Sequence, residues 1–238
     1  MWSGPRNVST AIMYSFAQSN SIKVVDEPFY AHYLLQSGAD HPGRAKVIED
    51  QPTNPDMVLE QLGSKRKQGQ LLFLKNMAHH MIKMDEVLEQ LLRNFQHLFL
   101  IRDPRDMLLS LDKEIPNPTM QDTAYQHQLE LFEMVQQRGM EPAVIDAEQL
   151  LNNPQQVLTE LCSRLGISFQ ETMLSWDAGP IPEDGIWAEH WYGSVHQSTG
   201  FKPYTPKQKP IPHRLEPLYK ECNPIYKKMF AHAIKVNK

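Results

Sequence analysis

The sequence predicts an α/β fold, a three-layer arrangement in which a parallel sheet is covered by helices on both faces. Short, continuous apolar runs recur at Ile22–Val25, Leu71–Leu74, His97–Ile101 and Pro142–Ile145, the pattern of strands buried on both sides. Stretches with helical spacing separate them, so strand and helix alternate. The 238 residues, 41% of them apolar, suffice for one substantial core. The economical expectation is one domain over residues 1–238, with an α/β core to residue 167 and an irregular, helical part over 168–238.

Composition excludes several classes. A formal net charge of −4 argues against general nucleic-acid binding, although local basic clusters can still hold a small anion. No apolar run reaches membrane-spanning length, and no signal sequence precedes the opening motif. The two cysteines, Cys162 and Cys222, form neither a disulfide framework nor a metal-ligand spacing, so a reducing cytoplasm is the expected location.

The elements follow in order. Met1 to Thr10, M-W-S-G-P-R-N-V-S-T, form a turn that empties into an apolar-periodic helix over Ala11–Ala17. Only Met1–Ser3 can build a strand before it, so that strand is very short or the sequence starts inside it. The strand Ile22–Val25 ends at Asp26-Glu27-Pro28, and Phe29–Leu35 have helical spacing. Gly38–Pro55, rich in Gly, Pro, Asp and His, reads as a mobile surface loop or lid. Asp56–Leu62 reads as a helix and Lys65-Arg66-Lys67 as a solvated basic turn. Leu71–Leu74 is a strand with Lys75-Asn76 at its end, followed by a helix over Asp85–Arg93. The run His97–Ile101 ends at Arg102-Asp103-Pro104, with helices over Met107–Leu111 and Gln121–Arg138 behind it. After the strand Pro142–Ile145, Pro154 opens a helix over Gln155–Leu165, as proline does in a first turn.

Beyond Ser168, Trp176, Trp187 and Trp191 cluster with Pro180, Pro182 and Gly185 in an irregular segment. It reads either as apolar packing over a long loop or as a wall facing an acceptor. Lys202, Lys207 and Lys209 interleave with Pro203, Pro206, Pro210 and Pro212 as an extended basic strap over the surface. Pro217–Ile234 form a final amphipathic helix.

The opening turn has chemistry in it. Unpaired N–H groups at a helix start, beside the Ser9 and Thr10 hydroxyls and the Arg6 cation, suit phosphate or sulfate. The stretch lacks G-x-x-x-x-G-K-[ST], which excludes an ordinary Walker ATPase; a capped helix start without a ligand is the plainer alternative. In parallel sheets, ligands sit at the carboxyl ends of the strands. Here those ends carry Arg6, Ser9, Thr10, Glu27, Lys75 and Arg102 on one rim.

The segment S-G-P-R-N-V-S-T resembles the 5′-phosphosulfate loop of sulfotransferases, P-K-S-G-T-T-W. Pro5 matches the proline, Arg6 replaces the lysine, and Ser9-Thr10 stand for the paired threonines. I-R-D-P-R-D-M-L-L-S resembles the family's 3′-phosphate motif through Arg102 and Ser110. D-E-P-F-Y resembles the E-P segment of the carbohydrate and protein-tyrosine branches. V-I-D-A-E-Q-L-L-N-N-P through C-S-R-L-G-I resembles a stretch common to the family. The resemblance runs from Ser3 to Ile167.

It implies a P-loop NTPase-like architecture whose core binds the nucleotide 3′-phosphoadenosine 5′-phosphosulfate (PAPS). It also implies sulfuryl transfer to a hydroxyl or amine of a small-molecule or carbohydrate acceptor, without a metal. Pro5, Arg6, Asn7, Val8, Ser9 and Thr10 would hold the 5′ end, and Arg102 and Ser110 the 3′-phosphate. Arg6 and Lys75 would neutralise the leaving oxygen, and Arg105 is read as exposed. The family's C-terminal R-K-G-x-x-G-x-W loop has no match; the nearest analogue runs from Ser194 to Phe201, with Ser198, Thr199 and Gly200 wrapping a phosphate.

For the base, Glu27 occupies the position used by the carbohydrate branch, and Pro28 forces extended backbone before it. Alternatively, Glu27 caps the next helix or pairs with Arg6. His79 and His80 follow Lys75, where the cytosolic branch reads K-T-H, and His32 lies one turn after Glu27. Two further readings stay open: a small-metabolite kinase, with Asp26 as its metal ligand, and a non-catalytic nucleotide-binding module. Oligomeric state leaves no mark in the sequence, and a homodimer is compatible with it.

Overall fold

A computed structural model describes residues 1–65, 69–206 and 209–236. Five parallel strands form one sheet in the order β2-β3-β1-β4-β5. In chain order the elements are β1 (Trp2–Ser3), α1 (Ser9–Ala17), β2 (Ile22–Asp26), α2 (Tyr30–Ser37), α3 (Arg44–Asp50), α4 (Pro55–Lys65), β3 (Leu71–Met77), α5 (Asp85–Asn94), β4 (Leu98–Ile101), α6 (Pro104–Leu111), α7 (Met120–Thr123), α8 (Tyr125–Gln137), β5 (Ala143–Asp146), α9 (Ala147–Asn152) and α10 (Pro154–Arg164). The C-terminal part adds α11 (Ala188–Trp191), α12 (Gly193–His196) and α13 (Glu216–Phe230).

The central strand is the shortest. Trp2 stands opposite Asn76 of β3 and Phe99 of β4, so two residues of β1 join the halves of the sheet. Alternation along each strand sends side chains to opposite faces. Val25, Leu74, Trp2, Phe99 and Val144 meet α4, α5, α6, α8 and α13 in one apolar layer. Val24, Phe73, Leu98, Leu100 and Ile145 meet α1, α2, α3 and α10 in the other. The α/β fold read from the apolar runs is therefore the fold observed.

Three expectations change. Gly38–Pro55 is not a structureless lid: α3 lies inside it, its Val47 fully buried. Gly38 and Gly43, at φ of 72° and 74°, both precede the helix, one ending α2 and the other at the start of α3, which is why the composition reads as loop. The first helix starts at Ser9 rather than Ala11. Trp176 and Trp187 are buried in the second apolar layer, so packing accounts for them. Arg66 and Lys67 of the basic turn, and Lys207 of the strap, lie outside the described residues.

Candidate active site

The carboxyl ends of the strands open into a cavity of about 510 Å³. Gly4 to Ala11 line one side of it. A Cβ on Gly4 would stand 3.0 Å from the Thr123 carbonyl oxygen, so glycine lets the turn pass tightly against the α7–α8 corner. Asn7 holds the turn from within: its Oδ1 accepts from the Val8 N–H at 2.9 Å and its Nδ2 donates to the Leu100 carbonyl at 3.1 Å. No side chain caps the start of α1. Of the residues assigned to the 5′ loop, Pro5, Arg6, Asn7, Val8, Ser9 and Thr10 all reach the cavity.

Arg6 adopts φ of 53°, a left-handed conformation that costs a non-glycine residue about 1 kcal/mol or more. Its carbonyl accepts from Arg102 Nη1 at 2.6 Å, and its Nε donates to Ser110 Oγ at 3.1 Å. The remaining ion pair of Arg6, to Glu114, is long at 3.6 Å. Arg102 Nη2 lies 3.7 Å from Asp106, and the Tyr125 hydroxyl donates to the Arg102 carbonyl at 2.5 Å. Thus β4 and the first turn of the chain are bonded to each other beside Ser110 on α6. Arg105 is half-buried rather than exposed; it does not line the cavity, and it donates to the Lys209 carbonyl at 2.8 Å.

A second cluster occupies the ends of β2 and β3. Lys75, 1% exposed, donates from Nζ to Asp26 Oδ1 at 2.8 Å, Glu27 Oε1 at 2.5 Å and the Tyr192 hydroxyl at 2.7 Å. Tyr192 donates in turn to Asp26 Oδ2 at 2.7 Å and accepts from Trp187 Nε1 at 3.1 Å. Asp26 Oδ2 also receives the Gly185 N–H at 3.2 Å. Burial opposes the Lys75 charge, but the two carboxylates outweigh it and hold its pKa above the ordinary lysine range. For Glu27, burial raises the pKa, Lys75 opposes that and Asp26 adds to it; the outcome lies above the usual carboxylate value. Glu27 is a second strained residue, at φ of 36°, so the backbone before Pro28 is not the extended one expected from the proline. Its Oε1 is held by Lys75 while Oε2 faces His80 Nδ1 at 3.8 Å.

The histidines differ in placement. His79 and His80 line the cavity, and burial lowers both: His79 to about 3, His80 well below the ordinary value. His80 stacks on Tyr30 and Tyr33. His32 does not face the cavity, since its two ring nitrogens contact the Thr53 carbonyl at 3.0 Å and the Ile82 carbonyl at 2.7 Å. Glu27 does not pair with Arg6; Lys75 takes that place.

In the C-terminal segment, Ser198 and Gly200 line the cavity and Thr199 does not. Thr199 is exposed, and its backbone carbonyl accepts from the Trp176 N–H at 3.2 Å. Ser198 Oγ is already engaged, donating to the Val195 carbonyl and accepting from Trp176 Nε1. Sequence reasoning missed Tyr192, and treated Asp26 only as a metal ligand; the D-E-P doublet held a signal for Asp26, whereas nothing in the spacing marks Tyr192. Among the described residues, no group of three or more His, Cys, Asp or Glu side chains is placed to hold a metal ion. Nor is any described helix long and apolar enough to cross a membrane.

Known proteins match this chain along its length. Two solved structures share its fold: the sulfotransferase domain from the Synechococcus PCC 7002 olefin synthase and the sulfotransferase domain from the curacin biosynthetic pathway. The first has a TM-score of 0.59 at 16% identity, covering 98% of this chain and 94% of that one. The second has a TM-score of 0.53 at 16% identity, covering 99% and 91%. Two Arabidopsis thaliana proteins, branched-chain-amino-acid aminotransferase-like proteins 1 and 2, are 38% and 35% identical over 237 residues. That is 97% of this chain and 41% of each relative, so the chain spans about two fifths of their length. The model of the sulfotransferase domain family matches residues 1–233, which, with the shared fold and the paired arginine motifs at the strand ends, makes this chain a member of that family.

Proposed function

We propose that residues 1–238 act as one unit that transfers a sulfuryl group from PAPS to a hydroxyl or amine of a small-molecule or carbohydrate acceptor. The observation that carries this reading is the contact between the two anion-binding segments, Arg102 Nη1 to the Arg6 carbonyl at 2.6 Å. An uncapped helix start and a strand-end arginine on one cavity support a single nucleotide with phosphates at both ends as the ligand.

When bound, PAPS supplies the sulfuryl group and a bridging oxygen on which charge collects as the bond breaks. The N–H groups at the start of α1 and the Arg6 guanidinium would be the donors for that charge, and Arg102 and Ser110 would hold the 3′-phosphate. Lys75 serves differently from the sequence expectation: closed in by Asp26, Glu27 and Tyr192, it orients Glu27 rather than offering a free charge. Glu27 receives the acceptor's proton on Oε2, the oxygen that Lys75 leaves available. Its raised pKa suits a base, whereas the depressed values of His79 and His80 leave those rings weak ones.

The kinase alternative loses its metal ligand, because Lys75, Tyr192 and the Gly185 N–H occupy the Asp26 oxygens. The aminotransferase-like name of the plant relatives finds no support in Lys75, which two carboxylates hold as an ammonium rather than a free amine. Melting curves with PAPS, its desulfated product and Mg-ATP test the proposal. The first two should raise the melting temperature and Mg-ATP should not. Stabilisation by Mg-ATP alone would establish a kinase, and binding without turnover on a broad acceptor panel would establish a non-catalytic module.

A further inference from the structure

The proline-rich strap has no part in the chemistry above, yet it returns to the cavity: Phe201 to Thr205 line its wall. Pro203 precedes Tyr204 and Pro206 follows Thr205, so the backbone on both sides of Tyr204 is restricted to extended conformations. Between these two stiff points the half-buried Tyr204 side chain reaches α6, where its hydroxyl donates to the Asp106 carboxylate. Asp106 lies in the first turn of that helix and is buried.

The other partner of Asp106 is Arg102, whose Nη2 lies 3.7 Å from Oδ2. Nη1 of the same guanidinium is held by the Arg6 carbonyl at 2.6 Å. A guanidinium is rigid and planar, so two anchors fix its plane and leave the remaining N–H groups in one orientation. A buried carboxylate with Arg102 alone to satisfy it would draw the guanidinium closer and use up more of its donors. The Tyr204 hydroxyl meets part of that demand. Burial, the bond to Asp106 and the charges of Asp106, Glu148 and Asp103 all raise the pKa of the phenol, so it keeps its proton and remains a donor.

We infer that Tyr204 is a positioning residue: acting through Asp106, it sets the Arg102 guanidinium for the anion that Arg102 receives. This rests on the proposed function only in naming that anion as the 3′-phosphate. The test uses the full chain in two measurements. One is calorimetry with the desulfated product of PAPS and with adenosine 5′-monophosphate; the other is timed phenylglyoxal labelling of arginines, without nucleotide, read by mass spectrometry. Tyr204→Phe should weaken the doubly phosphorylated nucleotide about fivefold and leave the monophosphate within about twofold. It should add nothing to the effect of Arg102→Ala, because the two act as one unit. Labelling of Arg102 should slow about threefold in Tyr204→Phe, while that of the exposed Arg164 stays the same. A merely structural role for Tyr204 would weaken both nucleotides alike. That result, a fivefold loss that persists beside Arg102→Ala, or unchanged labelling of Arg102 would overturn the inference. A native protein that binds both nucleotides equally would count against the PAPS reading, and the labelling would then decide the role of Tyr204 alone.

Discussion

Arg102, at the end of β4, donates through Nη1 to the backbone carbonyl of Arg6 at 2.6 Å. The bond spans 96 residues of sequence and ties a strained backbone position to a strand end. A guanidinium has five donors in a fixed fork, so this contact leaves N–H groups for an anion. Arg6 uses its own side chain on Ser110. The two segments that resemble separate phosphate motifs are therefore one bonded structure, and a change in either should be felt by both.

Arg6→Ala should lower kcat by about 10²–10³-fold, the usual loss when a donor to a developing oxyanion is removed. Arg105→Ala, whose guanidinium donates to the Lys209 carbonyl and does not line the cavity, should stay within about twofold. Steady-state kinetics on both variants checks this; equal losses would remove Arg6 from the transfer step.

Glu27→Gln keeps the shape of the side chain and removes the proton acceptor. Turnover should fall by about 10²–10⁴-fold while nucleotide affinity by calorimetry stays the same. An active variant would move the base to His79 or His80.

The charge balance around Lys75 predicts a pH effect at Asp26. The Asp26 charge raises the pKa of Glu27, adding to burial and opposing Lys75. A base must be ionised to act, so the acid limb of kcat/KM should lie above the ordinary carboxylate range in the native protein. Asp26→Asn removes one negative neighbour and leaves Lys75 to act on Glu27 alone, so the limb should move to lower pH. A limb that stays in place, with only its height reduced, would show that Asp26 does not tune Glu27.

Tyr192→Phe deletes a hydroxyl that accepts from Lys75 and Trp187 and donates to Asp26. Each buried donor left without a partner costs about 1–3 kcal/mol, so chemical denaturation should show a loss of about 2–4 kcal/mol. A change below about 0.5 kcal/mol, within the range of a neutral surface substitution, would mean that the cluster stands without Tyr192.

Much of this arrangement was legible from the residues. The apolar runs at Val24–Val25, Phe73–Leu74 and Leu98–Ile101 are strands because both faces of the sheet are covered. The rim positions of Glu27, Lys75 and Arg102 follow from each lying at the end of such a run, and Arg6 follows the two-residue β1. What failed to show in the sequence depends on distance or on backbone partners. Tyr192 reaches Asp26 across 166 residues, which no local spacing encodes. His32 faces away because two backbone carbonyls, at Thr53 and Ile82, claim its ring. The helix α3 hides behind two left-handed glycines, Gly38 and Gly43, and the Thr199 carbonyl is taken by the Trp176 N–H. Periodicity reports burial well, and it is silent on which distant hydroxyl or carbonyl a buried polar group will find.

The most direct measurement compares the desulfated product of PAPS, which carries phosphates at both ends, with adenosine 5′-monophosphate, which lacks the 3′-phosphate. Calorimetry on the native chain and on Arg102→Ala would be run with each. The account predicts that the native protein prefers the doubly phosphorylated nucleotide by about tenfold or more, a charge-assisted contact being worth about 1.5–3 kcal/mol, and that Arg102→Ala erases most of that preference. Equal affinity of the native protein for both nucleotides, or a preference untouched by Arg102→Ala, would contradict it.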